Sequence, residues 1–362
     1  MAVSRINEAG LNVNQYGNRN IIINGAMKVA QRGTSSTGVG GSSGYFTCDR
    51  WKITTDATAG RVTMTQESDG PDGFANSIKL ATTTADTSIA AGELFILGQS
   101  IEAQDLQQLK KGTSAAESVT VSFYVKANAS ATYVAELYDH DNTRNNTRAF
   151  TVGTSWSRVE LTFAADTTGA LGDDNAAGMT FQIWLHAGST YSGGTFSDNT
   201  WQSVTAANRY AGSRTSIFDS TSRTLFITGV QMEVGDTATD FEHRTFGDEL
   251  ARCERYFFKT YEYATSPGTA SSLASSLGRY LDATQNYASV PLPTLNLRAT
   301  PTTTIYNPND GTVGEIRSDS TDHPAVGHSS IGQKGGAFIY VNNSSLSQSN
   351  STRAHITFDA EL

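Results

Sequence analysis

The sequence predicts an all-β protein: an antiparallel β-sandwich or jelly roll, one short helix, and a smaller β-rich unit after it. Three observations carry this expectation. Short runs alternate apolar and polar residues with a period of two, they follow one another without long helices between them, and the residues that remain are turn formers. The 362 residues are 38 % hydrophobic and 17 % charged, with 33 glycines but only seven prolines. Gly, Asn and Ser serve turns, whereas Thr tolerates a pleated backbone. The length suggests two domains or three small ones.

Taken in order, residues 1–19 are polar and read as an extended arm. NIIINGAMKVAQRG, 20–33, is the first strand-like unit, and a flexible Gly/Ser/Thr stretch follows over 33–44. YFTCDRWKI (45–53), RVTMTQ (61–66) and SIKLATT (77–83) continue the strand pattern, with a turn at DGPDG, 69–73. AQDLQQLKKG, 103–112, has the length of about two helical turns. The clearest strand is VTVSFYVKA, where Val119, Val121, Phe123 and Val125 alternate with Thr120, Ser122, Tyr124 and Lys126. YVAELYD (133–139), RAFTV (148–152), SRVELTFA (157–164) and MTFQIWLHAG (179–188) come next. TLFITGVQMEV, 224–234, closes the series, and Gly229 inside it marks a bulge. The helix covers 245–258. Beyond it, SVPLPTLNLRATPTTTIYNP (289–308) has prolines that confine it to edges or bends, and AFIYVNN (337–343) and RAHITFDAEL (353–362) are the last strands, joined by an exposed hairpin SSLSQSNS. The expected division is an arm 1–19, a sandwich 20–244, a linking helix 245–258 and a β-rich head 259–362.

Charge narrows the function classes. The net charge of −9 argues against nucleic acid as the main partner, because phosphate binding needs clustered positive charge. The longest apolar runs, IIIN (21–24) and LFILG (94–98), are strand-sized, so no helical membrane insertion is expected. Cys48 and Cys253 belong to no CxxC pair and read as two unpaired small hydrophobes. No signal-peptide core precedes the first strand, so synthesis in a cytoplasm is expected, with any action outside the cell requiring departure within a particle.

The run GELFILGQSIEAQDLQQLKKGTSAAESVTVSFYVKA, the opening NIIINGAMKVAQRG with CDRW, and the closing ITGVQMEVGDTATDFEHRTFGDELARCERYF resemble the carbohydrate-binding-module-like sandwich of bacteriophage tail fibre proteins. The later RATPTTTIYN and final DAEL resemble the C-terminal head that follows it. The resemblance spans roughly 20–308 plus the last strand. It implies a jelly-roll, galactose-binding-like sandwich in a non-enzymatic, homotrimeric virion protein of the phage tail. Its arm would dock on other phage proteins, and the sandwich or the head would bind a host-surface glycan. The chain lacks a long repetitive shaft, which points to a short fibre, a fibre tip or a related appendage. Two other readings stand beside this one: a virion adaptor or decoration protein that binds only phage proteins, and a glycan-degrading enzyme.

Catalytic motifs are missing: there is no GxSxG elbow, HExxH, P-loop or dinucleotide fingerprint. The pairs Asp139–Asp141 and Asp173–Asp174 lie in Gly/Asn-rich stretches that read as solvated turns rather than glycosidase carboxylates. Asp139 and Asp141 in DHDNTRNN also offer oxygens for a structural Ca²⁺ ion, without the Gly and Glu of an EF-hand loop. His323 and His328, five apart, are a weak metal candidate; no other cofactor is expected. Sugar binding needs an aromatic face flanked by polar groups. Phe181, Ile183 and Leu185 should face the core, which turns Trp184 and His186 outward, near Tyr191 and Trp201. These four form the candidate glycan platform, against the plainer reading that both tryptophans simply pack. Phe246, Leu250, Cys253 and Phe257 form one apolar helical stripe. Periodicity alone allows packing against the chain's own sandwich or against copies of itself, and the resemblance favours a trimer interface. Asp248, Glu249, Arg252, Arg255 and Lys259 read as helix-end charges.

Overall fold

A computed structural model describes residues 18–282, 287–289, 296–329, 331–335, 338–341 and 351–362. Residues 1–17 of the expected arm and most of the SSLSQSNS hairpin lie outside them. Thirteen strands build an antiparallel sandwich. The first seven are β1 Ser35–Val39, β2 Gly44–Tyr45, β3 Lys52–Asp56, β4 Arg61–Glu67, β5 Ser77–Thr84, β6 Leu94–Glu102 and β7 Val119–Ala127. The next six are β8 Ala131–Asp139, β9 Arg144–Val152, β10 Ser157–Phe163, β11 Ala177–Ala187, β12 Gln202–Ser203 and β13 Thr224–Val234. One sheet has the order β1-β4-β5-β13-β7-β10, the other β12-β9-β8-β11-β6-β3-β2. The chain passes from one sheet to the other after β1, β3, β5, β6, β7, β9, β10 and β12, so neighbours in a sheet are seldom neighbours in sequence, as in a jelly roll.

Period-two patterning decides which side chains meet between the sheets. Val119, Val121, Phe123 and Val125 are all buried in the core between the sheets, together with Phe181, Ile183 and Leu185 from the opposite sheet. Phe123 meets Phe150 edge to face with ring centroids 5.1 Å apart. The bulge expected in the last sandwich strand is present, since the β13–β7 register shifts between Thr228 and Gln231. Gly229 there has φ +62°, and a Cβ would come within 2.9 Å of both Phe74 and Tyr124, so a side chain fits neither the backbone nor the space. The 103–112 helix is a 3₁₀ segment over Ala103–Leu109.

Two expectations for the first part of the chain fail. Residues 20–33 form no strand, although Ile22, Met27 and Val29 are buried. Only Ile21 N and the Gly25 carbonyl bond to the backbone of β13, and side chains, asparagines prominent among them, serve other backbone groups of the segment. Asn20 accepts from Ile22 and Met232 through Oδ1 and donates to the Val230 carbonyl. Asn24, at φ +58°, accepts from Val29 N and donates to the carbonyls of Val29 and Asp49. The supposedly flexible stretch 33–44 contains β1 and the start of β2, which pair with β4 and β3.

A one-turn helix, α1, covers Ser189–Ser192; the longer helix, α2, covers Phe246–Glu254. It ends four residues earlier than expected, and Phe257 lies on β14, Phe257–Lys259. The remaining strands are β15 Ser276–Asp282, β16 Tyr287–Ser289, β17 Thr302–Tyr306, β18 Glu315–Ser318, β19 Thr321–Ser329, β20 Phe338–Val341 and β21 Ser351–Asp359. Pairing runs β21–β15–β16–β20–β19–β18 and returns to β21, so six strands close on themselves and leave no free edge within the ring. β14 and β17 pair with the far half of β21.

Polar side chains join this unit to the sandwich. Arg50 is buried, stacks its guanidinium 3.4 Å from the Tyr256 ring centroid and pairs with Glu361. Arg32 pairs with Asp359 at 3.1 Å and Glu361 at 3.3 Å. Arg255 grips Glu102 with two bonds of 2.7 and 2.6 Å. Lys259 is buried and donates to the carbonyls of Gln31, Tyr263 and Thr265. Arg255 and Lys259 therefore do more than complement a helix dipole. Arg252 reaches Asn18, while Asp248 bonds to the N-cap Thr245.

Candidate functional site

The outer face of the seven-stranded sheet follows from strand register. Trp184 on β11 stands between Val134 on β8 and Ile96 on β6. One step along, Glu136, Gln182, Gly98 and Lys52 lie directly opposite one another across four strands. The next row is Tyr138, Thr180 and Ser100. The parity expected for β11 is correct, and Trp184 does leave the central core. It does not reach solvent. Residues 188–218 fold back over the first row, so Trp184 is fully buried in a second apolar cluster with Ile96, Val134 and Tyr210, against which Tyr191 and Phe196 pack.

Trp184 is thereby a floor rather than a platform. Its indole Nε1 donates to Glu136 Oε2 at 2.7 Å. Arg209, from the covering segment, makes a fork to the same carboxylate with bonds of 2.9 and 2.7 Å and also donates to Gln182 Oε1 at 3.2 Å. Asn145 Nδ2 donates to Glu136 Oε1 at 2.6 Å. Glu136 is fully buried, and four donor bonds with one cation compensate its charge. The Arg209 guanidinium lies 4.6 Å from the Trp184 ring centroid and 5.0 Å from that of Tyr138.

What remains accessible on this face is a polar and aromatic row. Tyr138, Gln182, Arg209, Ser100 and Lys52 are half-buried, and His140 is exposed. Gly98 leaves a trough between Gln182 and Lys52, since a Cβ there would stand 2.8 Å from the Phe181 carbonyl oxygen and 3.5 Å from Gln182 Cγ. Tyr138 meets the His140 ring edge-on at 4.7 Å. His140 Nε2 is 2.7 Å from Thr180 Oγ1, which is 2.9 Å from Ser100 Oγ, so a chain of hydrogen bonds holds this border in place. Although the residue is exposed overall, partial desolvation of the His140 imidazole against its neighbours holds it below its ordinary value. At the other end, Tyr45 lies 5.6 Å beneath the Lys52 ammonium.

The other expected site residues are placed as follows. His186 is buried between Glu93 and Ser216. Tyr191 caps Trp184 at 5.4 Å. Trp201 is half-buried at the edge of the central core, and its Nε1 donates to the Ala164 carbonyl. These four do not form an exposed glycan platform: Trp184 and His186 are buried beneath the connection after β11, and Tyr191 and Trp201, within that connection, pack inward against the two apolar clusters. Asp139 is buried and pairs with Lys111 at 2.6 Å, so an ammonium occupies the position assigned to a Ca²⁺ ion. Asp141 accepts from Gly172 N, and Asp173 and Asp174 are exposed, as expected of turns. His323 is buried on β19; the side chain of His328 lies outside what is described. On α2, Cys253 is buried within the chain, as is Phe257 on β14, whereas Leu250 is half-buried and Phe246 is 44 % exposed beside Tyr263. The continuous free stripe assigned to a trimer interface does not exist.

Tyr138, Gln182 and Glu136 escaped the sequence reading, although their parity in YVAELYD and MTFQIWLHAG placed them beside Trp184. Arg209 carried no signal, because nothing in its loop indicates that the loop folds back.

No protein family model matches the chain, and no curated protein matches it. Solved structures with some likeness include a CBM4 protein, at 14 % identity and TM-score 0.31 over 58 % of this chain and 97 % of that one. A family 11 carbohydrate-binding module from Clostridium thermocellum, in complex with a β-1,3-1,4-mixed-linked tetrasaccharide, has 10 % identity and TM-score 0.28 over 57 % and 99 %. The enzymatically active domain of bacteriophage CBA120 tailspike protein 4 has 14 % identity and TM-score 0.27, covering 60 % of this chain and only 21 % of that one. Scores this low carry no argument about function, and the β-sandwich stands on its own strand order and register.

Proposed function

We propose that this chain is a non-catalytic glycan-binding protein that serves a phage virion, as a tail fibre or fibre-like appendage, in attachment to the host surface. The observation that carries glycan binding is the accessible row on the seven-stranded sheet. A pyranose ring has an apolar face suited to Tyr138, while its hydroxyls need forked or amide partners such as Arg209, Gln182 and Lys52. The buried Glu136 fixes Arg209 within that row and Trp184 beneath it before any ligand arrives, which reduces the ordering cost of binding. The virion role is supported by the sequence resemblance to phage tail fibre proteins, and a homotrimer and attachment through the N-terminal arm belong to the same reading.

Binding of host-surface polysaccharide, or of a glycan array, tests it. Tyr138→Ala and Gln182→Ala should each weaken binding by about tenfold or more, roughly 1.4 kcal/mol, without a matching loss of stability. Unchanged affinity in both variants would remove the face from the proposal. Retained binding to tail components with none to host cells would favour the adaptor reading, and release of reducing ends would favour an enzyme.

A further inference from the structure

Three buried side chains meet near the end of β11, on the side away from the accessible row. Asp86 lies in the connection from β5 to β6, Glu93 immediately precedes β6, and His186 lies near the end of β11. None is more than 5 % exposed, and one ligand-capable atom from each lies within 4.8 Å of the other two. Asp86 Oδ2 accepts from Thr58 Oγ1 and Ala59 N. Glu93 Oε1 accepts from Ala90 N, and His186 Nδ1 is 2.7 Å from Ser216 Oγ. Those anchors leave Glu93 Oε2 and His186 Nε2 facing one another at 3.0 Å.

The charge balance is an independent observation. Among the described residues, the buried carboxylates Asp49 and Glu233 stand singly and accept from several neutral donors, while Glu136, Glu102 and Asp139 each pair with an Arg or Lys. Asp86 and Glu93 pair with neither; the sole ion-pair partner of Glu93 is His186. Two adjacent buried carboxylates without a cation are costly unless a proton or a metal ion joins them. The 3.0 Å between Glu93 Oε2 and His186 Nε2 is a hydrogen-bond length in the empty site, and it also suits two right-angled ligands about 2.1 Å from an octahedral ion, whereas a tetrahedral Zn²⁺ would part them to about 3.4 Å. The second ring nitrogen of His186 is held by Ser216, the outer contact that orients a metal-bound imidazole.

We propose that Asp86, Glu93 and His186 form a binding site for one divalent transition ion, Zn²⁺ or Mn²⁺. Two carboxylates match the ion's double charge, and the imidazole favours these ions over Ca²⁺ and Mg²⁺. The site would tie the 86–93 connection to the segment that covers Trp184. That tie already includes Gly188 N donating to the Glu93 carbonyl at 2.8 Å and Thr190 N donating to the Ala91 carbonyl at 2.9 Å. Its role is structural, and it does not depend on glycan recognition.

The test uses the full, tag-free chain after chelator treatment, titrated with Zn²⁺ or Mn²⁺ alone. The expected result is one ion per chain by calorimetry and elemental analysis, with Tm rising as ion is added, because an ion that binds only the folded chain stabilises it. Glu93→Gln keeps a side chain able to accept from Ala90 but removes one charge, so the metal-free variant should fold while its affinity for the ion falls by about a hundredfold. Ser216→Ala should weaken binding by about tenfold. Absence of stoichiometric binding, an unmoved Tm, uptake of Ca²⁺ alone, or wild-type affinity in Glu93→Gln would each overturn the assignment.

Discussion

Glu136 shows how much one side chain can organise. It is fully buried, and Trp184, Asn145 and Arg209 all donate to it. Glu136→Ala would leave a guanidinium without its partner and two further donors unsatisfied. The expected loss is about 3–5 kcal/mol of unfolding free energy, read by urea denaturation. Glu136→Gln should lose less, because the amide oxygen keeps one acceptor; equal losses would assign the whole stabilisation to charge pairing with Arg209. The side of the sheet for these residues was legible in the alternation of YVAELYD and MTFQIWLHAG. Their burial was not, since the covering segment is irregular and its contacts come from Tyr191, Tyr210 and Arg209 at no regular spacing.

At the scale of the element, α2 has the clearest sequence signature. Thr245 caps it by accepting from Asp248 N, and Asp248 and Glu249 stand in the first turn, where the helix dipole favours them. Its stripe, however, divides between two environments. Cys253 belongs to the chain's own interior, and Phe257 has left the helix for β14. Glu249, which reads as an exposed helix-end charge, is buried and accepts from Asn24 N and Arg244. Only Phe246 and Leu250 remain available to another copy. If the helix serves a trimer, Phe246→Asp should convert trimers to monomers by light scattering while the circular dichroism spectrum stays unchanged. Trimers that persist would assign assembly to another surface.

At the scale of the molecule, the junction between sandwich and C-terminal unit is rich in ionisable groups and sensitive to pH. Asp49 accepts from Gln31 N at 2.9 Å and from Gln31 Nε2 at 2.6 Å, and the same Nε2 donates to the Phe257 carbonyl. Burial pushes the Asp49 carboxyl up to about 6, only partly offset by Arg32 and the Gln31 bonds. The folded chain therefore holds this proton more tightly than the unfolded chain, whose Asp titrates near 3.9. Its contribution to stability rises as pH falls from about 6 to about 4 and is flat on either side. Asp49→Asn does not titrate, so the stability gap between wild type and variant should shift by roughly 2 kcal/mol in favour of wild type between pH 7 and pH 4, read by urea denaturation. A gap that does not change with pH would refute the assignment. Glu102 behaves oppositely: burial alone would raise its carboxyl, but the bonds from Arg255 and Tyr256 outweigh burial and hold it below its ordinary value. Its contribution is present above about pH 4 and is lost on further acidification.

The strand class, the inward faces of β7 and β11, the bulge at Gly229 and the presence of a helix after β13 were legible in the sequence, because each depends on residues only a few positions apart. Tertiary structure alone decided which polar groups act together. Arg209 reaches Glu136 across 73 positions, His186 reaches Glu93 across 93, and Arg50 meets Glu361 across 311. Jelly-roll crossings bring such pairs together, and local periodicity carries no information about them. For the same reason, the irregular segment 20–33 passed for a strand: its apolar residues are buried, but its asparagine side chains, not a full backbone ladder, tie it to β13 and the Asp49 turn.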